Sequence, residues 1–115
     1  MRTPKIDTHL YWEQRLQSRA NLQGTGHRAF SEQYNQILYH AQVECLDGLL
    51  HEAGIAVGGC SVLDIGSGVG FFVRHFLSRG ARHVIGSDLT FSSTQHLQAT
   101  FSELDVLQCD VSAPN

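Results

Sequence analysis

The 115-residue chain predicts an α/β fold built on a parallel sheet, and three observations predict it. Compact apolar runs of strand length occupy residues 60–65, 82–87 and 104–109. Segments of helical period separate them, at residues 69–79 and 92–102. The joints between these segments are short, and the first is a glycine turn. Strand, helix, strand, helix, strand in that rhythm implies right-handed crossovers and a three-stranded parallel sheet in the order 3-2-1.

Ahead of the alternating part lies a helical segment, so the chain divides into residues 1–54, packing on the core, and residues 55–115, forming the α/β unit. A short helix is expected over residues 8–20. Residues 21–28 follow as a loop, where Asn21, Gly24 and Gly26 mark the most mobile stretch. A long helix is expected over residues 31–53, with Ser31 as its N-cap and Gly54 at its stop. Tyr34, Leu38, Ala41, Cys45 and Leu49 form one apolar stripe along it, and Tyr39, Val43, Leu46 and Leu50 form a second. A helix apolar on two sides is normally covered on two sides, so the sheet is expected on one flank and the first helix or another subunit on the other. His40, Glu44, Asp47 and His51 share the polar face; one helix rarely supplies four converging metal ligands, and a solvated face is the simpler reading.

The segment from Val62 to Phe72, VLDIGSGVGFF, carries the chemistry. Gly66, Gly68 and Gly70 stand where a strand must turn directly into a helix. Backbone without a Cβ lets a ligand lie against it, and the free N–H groups and positive end of the next helix point to the same place. The spacing is GxGxG, and the position of a third glycine in GxGxxG is filled by Phe71. Asp64 precedes the turn and would repel a phosphate. A zwitterionic ligand bearing a sulfonium suits this site better than NAD does.

In these residues the sequence resembles the class I S-adenosylmethionine-dependent methyltransferases. VLDIGSGVG is similar to the first motif of that family, HVIGSD to its second strand, and QCDV to the acidic site after its third. The resemblance covers residues 60–111 and implies a Rossmann-like half-sheet with flanking helices, truncated relative to the seven-stranded family fold. It implies S-adenosylmethionine as cofactor and S-adenosylhomocysteine as product. Gly66, Ser67, Gly68 and Gly70 would surround the methionine end, with Asp64 holding its amino group directly or through water. Asp88, 22 positions after Gly66 at the end of the second strand, would accept hydrogen bonds from both ribose hydroxyls. Leu89 would pack on the adenine face, Asp110 would lie near the adenine amino group, and the backbone of Val111 would add a ring contact. Tyr11, Trp12 and His27 stand in a segment that could cover the cofactor cleft; helix packing is the favoured reading for Trp12, and His27, in its glycine-flanked loop, is the better candidate for touching a ligand.

The resemblance implies methyl transfer by direct displacement to an unidentified acceptor, and no catalytic base can be named. The rival readings are a non-catalytic nucleoside-binding or interaction module and, less favoured, an NAD-dependent oxidoreductase. Eight Lys and Arg against eleven Asp and Glu give a net charge of −3, which disfavours nucleic acid and favours a small-molecule acceptor. The charge is uneven, since residues 1–30 hold five basic and two acidic side chains. No apolar run approaches the roughly 18 residues of a membrane helix, and the first residues lack the apolar stretch of a secretory signal. Cys45, Cys60 and Cys109 are odd in number and widely spaced, which points to a reducing cytoplasm. Lacking the family's fourth strand, the first strand is expected as an exposed sheet edge, so that the chain is either the N-terminal, cofactor-binding part of a longer enzyme or covers that edge by self-association.

Overall fold

The computed structural model describes residues 4–113. Helices α1 (Thr8–Ser18), α2 (Leu22–Thr25) and α3 (Glu32–Glu52) precede the alternating part. Strand β1 (Ser61–Ile65), helix α4 (Phe71–Ser78), strand β2 (His83–Asp88), helix α5 (Phe91–Thr100) and strand β3 (Asp105–Gln108) then follow in order. All strand pairs are parallel, and β2 lies between β1 and β3. The register sets Val62 beside Val84, and Gly86 beside Val106. One face of the sheet is therefore Val62, Val84 and Val106. Against it pack Val73 of α4 and Leu97 and Phe101 of α5, forming the buried core.

Both crossovers step in the same direction, so right-handedness puts both helices on the same face. Leu63, Ile65 and Leu107 lie on the other face and are each more than half exposed. β1 is a sheet edge, as the motif order implies.

The long helix begins where expected. Ser31 Oγ accepts the Tyr34 N–H at 3.2 Å. At its end Gly54 N–H donates to His51 O and Ile55 N–H to Leu50 O, the paired bonds of a Schellman stop. Its surroundings differ from the expectation. The α5 and α4 helices already occupy the sheet face, so α3 rests on α4 and α2 instead. Tyr39, Val43, Leu46 and Leu50 are half-buried there, whereas Tyr34, Leu38, Ala41, Cys45 and Leu49 are exposed. Asp47, on the polar face, pairs with His75 at 2.8 Å and Arg79 at 2.5 Å of α4.

Residues 21–28, expected as the most mobile stretch, are instead tied down. Asn21 caps α2 by accepting the Gly24 N–H at 3.0 Å. The fully buried Asn35 accepts the His27 N–H at 2.7 Å and donates to His27 O and Ser31 O, both at 3.0 Å. Side-chain amides replace the missing regular backbone pairing, a possibility that glycine content alone does not reveal.

Candidate functional site

The turn after β1 is fixed by its neighbour strand. Gly66 N–H and Ser67 N–H both donate to Ser87 O, at 2.9 and 2.8 Å. Ser67 Oγ donates to Asp64 O at 3.0 Å and accepts the Ser87 N–H at 3.1 Å. These bonds engage the Ser67 hydroxyl in holding the two strand ends together. Gly68 N–H donates to Asp88 Oδ2 at 3.0 Å, so the turn and the second carboxylate form one unit.

The three glycines do different work. Gly66 has φ +75°, and a Cβ built on it meets nothing within 4 Å; it is an open cradle. A Cβ on Gly68 would lie 2.8 Å from Thr25 Cγ2. Gly70 has φ +87°, and a Cβ there would come within 2.5 Å of Phe101, so its requirement is core packing. Gly70 also starts α4 without any side-chain cap, which leaves the positive end of that helix facing the turn.

A hollow of about 370 Å³ opens at the carboxyl ends of β1 and β2. Gly66, Ser67, Gly68, Asp88 and Leu89 form its floor. Trp12 and Leu16 of α1, Thr25 and Tyr39 form the opposite wall. Trp12, for which packing is the favoured expectation over a place on the cleft, faces the hollow. His27 lies elsewhere, its ring tilted against that of Phe30 with centroids 4.6 Å apart. The wall exists because α1 docks on α5. Glu13 accepts the Phe91 and Ser92 N–H groups, both at 2.9 Å, together with the Ser92 hydroxyl. Thr90 Oγ1 accepts the Ser93 N–H at 3.2 Å, so the first three N–H groups of α5 are all satisfied. Nothing in the local sequence around Glu13 announces a helix cap contributed from 78 positions away.

The three carboxylates diverge. Asp88 Oδ1 accepts both the Thr90 N–H and hydroxyl at 2.9 Å, and Oδ2 accepts Gly68. Of four acceptor directions one remains, on Oδ2, where the sequence reading expected room for two ribose hydroxyls. Asp64 is not on the wall of the hollow; its Oδ2 is buried without a hydrogen-bond partner. Burial pushes its carboxyl above the usual range, and the nearby charge of Asp88 adds to the effect. Asp110 is exposed and closed into a turn, where the Ser112 hydroxyl and N–H hold its carboxyl below the usual range. Asp110 and Val111 do not reach the hollow, because β3 ends at Gln108 and the chain turns outward. The open cradle at Gly66, the remaining acceptor direction of Asp88 and the apolar surface of Leu89 meet on this hollow, an arrangement that fits a nucleoside ligand.

Among known proteins, no family model matches the chain. It is 40% identical over 57 residues to the tRNA U34 carboxymethyltransferase of Dichelobacter nodosus (strain VCS1703A), covering 47% of this chain but only 18% of that one. It superposes on the magnesium protoporphyrin IX methyltransferase of Synechocystis PCC 6803, solved with bound S-adenosylhomocysteine, with a TM-score of 0.65. That match has 19% identity over 93% of this chain and 52% of the other. An S-adenosylmethionine-dependent methyltransferase from Mesorhizobium loti matches at 28% identity over 51% of this chain and 28% of its own, with a TM-score of 0.48. The chain thus spans about a fifth of its curated relative and about half or less of these two structures.

The partner expectations are corrected here. A small-molecule acceptor, nucleic acid disfavoured and association through the β1 edge do not stand beside a relative that is a tRNA-modifying enzyme by name. Among the described residues no helix is long and apolar enough to cross a membrane. With its glycine turn and its open three-stranded parallel sheet flanked by helices, the chain has a Rossmann-like fold that it shares with the structure of a methyltransferase.

Proposed function

We propose that the chain holds S-adenosylmethionine in the hollow between the glycine turn and α1, and serves methyl transfer to an RNA acceptor. The observation that carries the cofactor part is the meeting of Gly66, Gly68, Asp88 and Leu89 on one hollow at the carboxyl ends of adjacent parallel strands. The tRNA-modifying relative supports the acceptor class. When bound, the cofactor supplies an electrophilic sulfonium methyl and leaves as S-adenosylhomocysteine.

The chain's own part is to bind and align. Asp88 takes a ribose hydroxyl on Oδ2, and Leu89 meets the adenine. Asp64, when ionised, contributes attraction toward the cationic end through the turn. Trp12 and Tyr39 exclude water from the far wall. Alignment of this kind is worth roughly 7–11 kcal/mol of a barrier. Gly70 contributes by starting α4 close against Phe101, and Asp110 by closing the turn that follows β3.

Calorimetric titration of the chain with S-adenosylmethionine and S-adenosylhomocysteine tests the reading. Saturable heat with both is expected, and Asp88→Ala should weaken the binding by about 1.5–3 kcal/mol. No heat with either ligand would leave the non-catalytic interaction module in its place.

A further inference from the structure

We infer that the surface formed by Arg15, Arg19 and Arg28 with the clustered, mutually tilted rings of His27, Phe30 and Tyr34 is a docking site for single-stranded RNA, feeding the hollow across α1. The inference deepens the proposed methyl transfer to RNA and rests on it for purpose, though not for the chemistry of the surface itself.

Two hollows, of about 330 and 530 Å³, lie side by side on the outer flank of α1 and α2. Arg15 and Arg28 line both, Arg19 lines the first, and no carboxylate lines either. None of the ion pairs among the described residues involves these three arginines. Their positive charge is therefore not neutralised from within the fold. Arg15 is held rigid: its Nη2 donates to Gly26 O at 2.8 Å and its Nη1 to Tyr11 Oη at 3.2 Å. Its guanidinium also lies 4.8 Å over the Trp12 ring. Arg19 and Arg28 are exposed at the rim.

Beside these charges runs an aromatic ladder. His27 and Phe30 have centroids 4.6 Å apart, and Phe30 and Tyr34 4.4 Å. Phe30 is 40% and Tyr34 44% exposed. Guanidinium groups tracking phosphates, interleaved with flat faces on which bases stack, are the two parts of a single-strand binding surface. An acidic peptide would use the charges and leave the rings idle. Tyr11 and Arg15 occupy the turn of α1 that also carries Trp12 and Leu16, which line the cofactor hollow. A nucleotide leaving the ladder has one helix, about 10 Å across, to pass before it reaches that hollow.

The test is fluorescence anisotropy of the full chain with a labelled single-stranded RNA of about a dozen nucleotides, titrated between about 50 and about 200 mM salt. Measurable binding is expected to weaken at least about fivefold in the double variant Arg19→Ala, Arg28→Ala. Its salt slope should flatten by about 0.7 for each phosphate that is no longer neutralised. Phe30→Ala should weaken binding by about tenfold without changing the slope. Arg19 and Arg28 are exposed, so the double variant decides the matter even if Phe30→Ala fails to fold. Absence of binding by the wild-type chain at the lower salt, or equal affinity in the double variant, would overturn the inference. So would displacement of the RNA by an oligoglutamate peptide combined with a silent, folded Phe30→Ala. Calorimetry with S-adenosylhomocysteine separates the two readings. Arginine-dependent RNA binding without cofactor heat upholds this surface and overturns the methyl-transfer reading. Cofactor heat with arginine-independent RNA binding does the reverse.

Discussion

Asp64 shows how one side chain can work against the fold it belongs to. Its buried, unpartnered oxygen keeps the folded-state carboxyl above its ordinary range. A raised acid costs stability once ionised. The penalty is absent below the unfolded-state value and complete above the folded-state value, so stability recovers as pH falls from neutral through the folded-state value. Asp64→Asn is accordingly expected to raise the melting temperature near neutral pH, with the gain shrinking in acid, while weakening S-adenosylmethionine binding. Thermal melts across a pH series check the first part and calorimetry the second; a variant that loses stability at every pH would contradict this account. Gly66 and Gly70 make a related point. Both have positive φ, yet one faces open space and the other the Phe101 ring, and their shared spacing in the motif conceals that difference.

At the scale of elements, the decisive interaction is Glu13 on the start of α5. Burial alone would raise its carboxyl, but the Ser92 hydroxyl and the Ser92 and Phe91 N–H groups outweigh that and hold it below the usual range. A depressed acid contributes stability that is present above its unfolded-state value and lost as pH falls through the folded-state value. Glu13→Gln should therefore cost about 1–2 kcal/mol near neutral pH, in the range of a removed helix cap. The difference from wild type should vanish in acid, as read by urea unfolding at two pH values. Because Glu13 carries α1, and with it Trp12, the same variant should loosen ligand binding in the hollow. α3 poses the opposite case: its second apolar stripe finds α4 while its first stays exposed.

At the scale of the whole molecule, the described residues cover the sheet on one face only. Leu97 is fully buried in the covered face, so Leu97→Ala should cost about 2–5 kcal/mol in urea unfolding. Leu63 lies on the bare face at 56% exposure, and Leu63→Thr should change stability by only about 0.5 kcal/mol. Equal costs at the two positions would mean that the second face is covered in solution.

The glycine turn, the strand order and Asp88 at a strand end were legible because each is written in consecutive residues whose backbone demands are local. Spacing likewise marked the caps at Ser31 and Gly54. The far wall of the hollow was not legible. Trp12 and Tyr39 reach it only because a carboxylate on α1 meets a helix start 78 positions away, and His27 turns from it because Asn35 holds its loop. Asp110 carried the right residue type at the right strand end, yet the chain turns outward after Gln108 and Ser112 engages it. The sequence by itself determined the α/β alternation and the cradle after β1, since period and positive-φ glycines act over a few residues. Only the tertiary structure decided which side chains share the hollow, because that depends on how separate elements dock, and docking is governed by contacts between residues far apart in the chain.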